Sequence, residues 1–181
     1  MNKLTFNNTV LEILINNIVE SDLDAIVIPA NSRLLPSGAL RCSVLRKAGA
    51  EVQLECNRII NKIGMVNVGT AVMTSGGKLK SKYLIHVVGP KMGRGKEGRK
   101  LMMTTWNALK LADEKKLNSI IFPPISIEMI GFSAKICADI MLPTARKYIK
   151  EKNKNLRNIT FCLGDLPDYK DFEKVMECLP D

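Results

Sequence analysis

The chain has 181 residues, 46% of them hydrophobic, enough to bury a full core and the size of one domain, 1–181, rather than two. No run of about 18 apolar residues occurs, and the opening MNKLTFNNTVLEI has neither a basic leader nor a small-residue cleavage site; the expectation is a soluble, intracellular protein with no membrane partner. Lys and Arg outnumber Asp and Glu by 27 to 18, a formal net charge of +9 that attracts phosphate-rich partners without by itself defining a site.

The five cysteines (Cys42, Cys56, Cys137, Cys162, Cys178) are scattered and form no CxxC pair, so they read as small buried hydrophobes in a reducing compartment. With His86 as the single histidine, neither a metal site nor a cofactor is expected. Basic residues gather at 78–82, 91–100 and 146–157, while aromatics make up only 5% of the chain and do not interleave with them in sequence. A solvated lysine-rich surface is therefore expected, with nucleic acid as an alternative partner of that surface.

In chain order, short apolar β-branched runs bounded by turn residues predict strands at 4–7, 10–15, 24–30, 70–75, 82–88, 119–124 and 158–163. Helical spacing predicts helices at 39–48, 50–63, about 98–114, 133–152 and 168–178. Met102, Trp106, Leu109 and Asp113 mark a stripe on the third helix, and Ile136, Ile140, Ala145 and Ile149 mark one on the fourth. Alternating strands and helices in the second half point to an α/β chain with a mostly parallel or mixed sheet, covered on both faces. The glycine- and lysine-rich stretch 89–100 reads as a surface loop and carries neither GxxxxGK[ST] nor GxGxxG, so a P-loop or Rossmann reading has little support.

In open α/β sheets, ligands collect beyond the carboxyl ends of the strands, where helix N-termini hold anions with backbone N–H groups. Two segments have that form. DAIVIPANSRLLPSGAL runs a buried strand into a turn with Asn31, Pro36, Ser37 and Gly38, and SIIFPPISIEMIGFSAK runs another into a loop with Ser126 and Gly131.

Residues 69–90, GTAVMTSGGKLKSKYLIHVVGP, resemble the ordered stretch Gly-x-Ala, Thr, Gly, Leu, Lys-Tyr-x-Ile-His, Val-Gly-Pro of the macrodomain family. DAIVIPAN, KAGAEVQLEC, LKLADEKKLNSIIFPPIS and ITFCLGDLPDYKDF extend the resemblance in family order over nearly the whole chain. It implies a three-layer α/β/α fold with a mixed central sheet and a cleft for ADP-ribose. It also implies a structural role for His86, as a core or capping residue.

Position by position, the resemblance places the family's adenine-binding Gly-Asp-Ile on Asn16, Asn17 and Ile18. An amide oxygen still accepts a hydrogen bond, without the strength of a charged acceptor. The first asparagine of the family's Asn-Ala-Ala-Asn is Ile28 here, and the second, beside the distal ribose, is kept as Asn31. The first phosphate loop corresponds to Ser37, Gly38, Ala39 and Leu40, and Arg41 stands where hydrolytic members carry an acid. The second loop corresponds to Ser126, Ile127, Glu128, Met129, Ile130 and Gly131, with Glu128 in place of a phosphate-facing glycine and Ile130 in place of an aromatic. Like charges about 4 Å apart repel by roughly 4 kcal/mol at an effective dielectric near 20, so Glu128 opposes pyrophosphate if it faces the site. Gly164 replaces an aromatic that packs on adenine. The implied function is weak binding of ADP-ribose, a related nucleotide or ADP-ribosylated protein, with no catalytic residue assigned. The alternatives are an ADP-ribosyl-linkage hydrolase and a nucleic-acid or protein interaction module that has lost the pocket.

Overall fold

Seven of the apolar runs form one sheet in the computed structural model, which describes residues 2–125 and 131–180. The strands are β1 (Lys3–Phe6), β2 (Thr9–Ile15), β3 (Ala25–Pro29), β4 (Ala71–Ser75), β5 (Tyr83–Val87), β6 (Ser119–Phe122) and β7 (Asn158–Leu163), in spatial order β1-β2-β7-β6-β3-β5-β4. Neighbours from β2 through β5 are parallel, while β1 and β4 close the two edges antiparallel, so the sheet is mixed. Each expected strand is present, with no end moved by more than two residues and β7 unchanged. β6 stops at Phe122 because Pro123 and Pro124 have no N–H for the ladder. β1 stops at Phe6 because Asn7 turns the chain at φ 53°.

The helices are α1 (Ala39–Ala48), α2 (Ala50–Ile63), α3 (Glu97–Glu114), α4 (Ala134–Glu151) and α5 (Leu166–Cys178). α5 begins two residues before the expected Asp168, because the Asp165 side chain accepts from Asp168 N and so caps the helix. Pro167 then falls in the first turn, where a missing N–H costs nothing. Ser133 caps α4 in the same way through Ile136 N. A single 3-10 turn at Ile18–Glu20 was not expected.

Strand residues alternate between two cores, which gives three layers. Ala25, Val27, Ile120, Phe122, Ile159 and Phe161 face α3, α4 and α5, whereas Ile26, Ile28, Leu84 and Ile121 face α1 and α2. Two predicted stripes are rotated. Met102 and Ile136 are exposed, and the buried face of α3 is Leu101, Thr105, Ala108, Leu109 and Ala112 instead. Thr105 can turn inward because its hydroxyl donates to Leu101 O.

Asp113, at the last turn of α3, ties that helix to α4 and to the start of β7. It accepts from the Tyr148 hydroxyl, from Lys154 N and Asn155 N, and from Asn155 Nδ2. Burial works against its charge, but these donors outweigh burial and hold the carboxyl below the usual aspartate range. Asp113→Ala strands two backbone N–H groups and should cost about 2–4 kcal/mol of unfolding free energy, read as a lower urea midpoint at unchanged m-value.

Candidate functional site

β2, β7, β6, β3 and β5 run parallel, so the loops that follow them leave the sheet at one edge. This edge carries residues 16–18, 30–38, 88–96, 123–125, 131–133 and Gly164–Asp165, while Ser21 and Asp24 have already reached the other edge, where they bond to Ser81, Asn118 and Ser119. At its centre β3 and β6 are neighbours, yet the chain passes from β3 to α1 on one face and from β6 to α4 on the other. A crevice must open where neighbouring strands send their chains to opposite faces. The first candidate loop and the described ends of the second, 123–125 and 131–133, leave the sheet here.

The first loop is held by its own side chains. Asn31 Oδ1 accepts from Arg33 N and Leu35 N, and Asn31 Nδ2 donates to Leu35 O and Ser37 Oγ, each at 3.0–3.1 Å. Asn31 therefore shapes the loop as well as standing at the crevice. Leu34 is fully buried at φ 56°, a conformation that costs a non-glycine residue on the order of 1–2 kcal/mol and persists only when its surroundings impose it. Gly38 follows at φ 73°, where a Cβ would be strained, and α1 starts after it with no side chain capping its N-terminus. Ser37, Gly38 and Ala39 are exposed and Leu40 half-buried, so the positive end of α1 faces outward.

Arg41 lies beneath this loop and is only 1% exposed. Its Nε donates to Leu35 O at 3.0 Å and Nη2 to Leu34 O at 2.8 Å, which fixes the strained turn. Its Nη1 lies 2.9 Å from His86 Nδ1. An arginine only donates, so Nδ1 accepts, the imidazole carries its proton on Nε2, and Nε2 donates to Thr74 Oγ1 at 2.8 Å. Thr74 Oγ1 in turn donates to Ser75 O. Burial first, then the positive Arg41, pushes the His86 pKa down to about 3, so the ring is neutral throughout the physiological range. His86 is thus a core residue with both nitrogens committed. Cys56 Sγ lies 3.9 Å from both partners, and burial pushes its thiol up, against the opposing pull of Arg41. Among the described residues no carboxylate bonds to the guanidinium, and its positive charge stays under the first loop. The spacing of Arg41, Val44, Leu45 and Ala48 on α1 is that of a buried helical face, the one sequence signal that marks Arg41 as internal.

At the β2 end, Asn17 Oδ1 accepts from Val19 N and caps the 3-10 turn, leaving one further lone pair for a ligand. The Ile18 side chain is buried in the second core, so only its backbone remains available there. Gly164 leaves the end of β7 with open space where a Cβ would stand. Ser126, Ile127, Glu128, Met129 and Ile130 lie outside the described residues. The second loop is anchored on both sides of them: Ile125 is buried and its carbonyl accepts from Cys137 Sγ, and Phe132 packs into the first core. Gly131, between them, adopts φ 65°. The basic segment with Lys91, Arg94 and Lys96 follows β5 and so shares this edge, a placement that its sequence position did not reveal. Among the described residues, no cluster of His, Cys, Asp or Glu suits a metal ion, and no helix is long and apolar enough to cross a membrane.

Comparison with known proteins agrees with this geometry. The family model described as Macro domain matches residues 27–141. A Macro domain-containing protein of Listeria monocytogenes is 39% identical over 169 residues, covering 92% of this chain and 96% of that one. A variant of the Oceanobacillus iheyensis macrodomain solved with ADPR superposes with a TM-score of 0.93 at 29% identity, covering 97% of this chain and 96% of that one. The Trypanosoma brucei macrodomain in complex with ADP-ribose superposes with a TM-score of 0.83 at 28% identity, covering 92% and 68%.

Two measurements check the buried network. The folded-state pKa of His86 is depressed, so the unfolded chain binds a proton that the folded chain refuses as pH falls below about 6.5. Stability should then drop by about 1.4 kcal/mol per pH unit between roughly pH 6 and 5, above the carboxylate range, and His86→Gln should flatten that slope. Arg41→Met leaves the Leu34 and Leu35 carbonyls and His86 Nδ1 without their donor, and should lower unfolding free energy by about 3–5 kcal/mol in denaturant titration.

Proposed function

The chain belongs to the macro domain family, and from that membership and the crevice between β3 and β6 we propose that it binds ADP-ribose, or the ADP-ribosyl group of a modified protein, weakly and without hydrolysing it. The observation that carries this reading is the first loop. Gly38, the uncapped N-terminus of α1 and the buried charge of Arg41 together make an anion cradle at the switch point of the sheet. In this reading Ser37, Gly38, Ala39 and Leu40 hold the pyrophosphate with backbone N–H groups, and Asn31 meets the distal ribose. Asn17 and the Ile18 backbone meet the adenine. Ser126, Ile127, Glu128, Met129, Ile130 and Gly131 close the other side.

Two substitutions account for the weakness. Glu128 brings a negative charge to the second loop, and Gly164 offers no ring for the adenine to stack on. The absence of hydrolysis follows from the proton chemistry of the first loop. A general base must reach the attacking water, and the position that carries an acid in hydrolytic members is here a donor-only arginine with its N–H groups turned inward. His86 is neutral, buried and bonded through both nitrogens.

Calorimetric titration of ADP-ribose tests the reading. The unmodified chain should bind saturably with a dissociation constant on the order of 0.1 mM, and Glu128→Gly should bind about tenfold tighter. Gly164→Phe, placed in open space at an ordinary φ, should gain about fivefold, the equivalent of roughly 1 kcal/mol of stacking. Incubation with mono-ADP-ribosylated protein should release no ADP-ribose above the spontaneous rate. Failure of the unmodified chain and both variants to bind would overturn the proposal, and turnover would overturn its non-hydrolytic part.

A further inference from the structure

The opposite edge of the sheet carries a second groove, between α3 and α4. Its wider part is a cleft of about 490 Å³ at the helix C-termini, lined by Trp106, Tyr148, Lys110, Lys116, Lys152 and Lys154. A second cleft of about 370 Å³ continues from the other side of Trp106, lined by Met102, Met103, Thr144 and Lys147. From Met102 to the end of α3 the groove runs for roughly 20 Å at 1.5 Å per residue. Its wider part sits beside the starts of β6 and β7, at the opposite end of the strands from the crevice.

Trp106 stands between the two clefts, half-buried, with its ring edge-on to Tyr148 at a centroid distance of 5.0 Å and an interplanar angle of 82°. Tyr148 is fixed in turn by its hydroxyl, which donates to Asp113 at 3.0 Å. The indole is therefore held in place before any ligand arrives. All four lysines of the wider cleft are exposed. Lys110 pairs loosely with Glu114 at 3.7 Å, and Lys116, Lys152 and Lys154 form no ion pair among the described residues. Against the four lysines stand two carboxylates, Asp113 and Glu114, so the cleft keeps a formal excess of two positive charges, and the Asp113 carboxylate already bonds to internal donors. In sequence Tyr148, contrary to the expectation, lies inside the basic cluster 146–157 while Trp106 lies outside all three clusters, and folding sets Trp106 among four lysines drawn from two helices and the segments after them.

We propose that this groove binds single-stranded nucleic acid, with a base stacked on Trp106 and backbone phosphates on Lys110, Lys116, Lys152 and Lys154. A positively charged track with an aromatic platform along it is what an unpaired strand requires, since every base has a π-face and every nucleotide a phosphate. A mononucleotide would leave most of the groove and its lysines unused. An acidic peptide would use the lysines but not the indole.

Trp106 is the only tryptophan of the chain, so its emission reports on the site directly. Oligo(dT) and oligo(U) of about 12 nucleotides, chosen to carry no adenine, are titrated into the full chain at low salt. Saturable quenching is expected, unchanged by saturating ADP-ribose, and the DNA and RNA arms tell which strand is preferred. The double variant Lys152→Ala, Lys154→Ala removes two exposed side chains. It should weaken binding at least about tenfold at low salt and reduce the slope of log K against log salt by about 1.4, at roughly 0.7 per phosphate. Unquenched emission, wild-type affinity in the double variant, displacement by ADP-ribose, or equal quenching by poly-glutamate would each overturn the proposal. This result is independent of the ADP-ribose reading, which concerns the other edge.

Discussion

Five adjacent parallel strands constrain everything else in this molecule. Parallel neighbours need crossover connections, so β3, β5, β6 and β7 are each followed by a helix on one face or the other and β2 by a 3-10 turn, all leaving from the same edge. Because β3 and β6 send their crossovers to opposite faces, the loops after them cannot close over each other. The crevice is a product of topology before any side chain contributes to it. By the same geometry the helix C-termini meet at the other edge, and there the α3–α4 groove forms.

The buried guanidinium of Arg41 works within that frame. Removing a charge from water is costly unless its hydrogen bonds are replaced, and here they are replaced by two carbonyls and an imidazole instead of an acid. A carboxylate partner would have neutralised it. Neutral acceptors leave its field intact, and a unit charge about 8 Å from an anion contributes roughly 2 kcal/mol at an effective dielectric near 20. One residue therefore holds the first loop in shape and favours anions above it. The same inward orientation removes it from any role in proton transfer at the surface.

Much of this was legible in the sequence, because strands and crossover helices are set by local periodicity. Among the described residues, seven strands and five helices follow from apolar patterning, and the strand-to-helix turns after β3 and β6 mark the two candidate loops. What periodicity could not give is the direction of individual side chains. The stripes on α3 and α4 are rotated because Thr105 satisfies its hydroxyl within the helix and can be buried, while Met102 and Ile136 are left outside. The Ile18 side chain fills the second core, which leaves only its backbone for a ligand. Capping moved the start of α5, since Asp165 bonds to Asp168 N two residues ahead of the apolar pattern. The chain from Arg41 through His86 to Thr74 joins α1, β5 and β4, and no local pattern contains all three.

The same limit explains the groove. Trp106 lies outside every basic cluster of the sequence, yet Trp106 and Lys110 are one helical turn from each other, and Lys152 follows Tyr148 by one turn on the neighbouring helix. The edge contact between Trp106 and Tyr148 brings the two turns together, and the Asp113 bonds to Tyr148, Lys154 and Asn155 draw in the segment after α4. Charge along a sequence therefore says little about where a polyanion would be held. What decides it is which lysines a folded core leaves beside an aromatic surface, and in this chain that follows from one buried carboxylate at the end of α3.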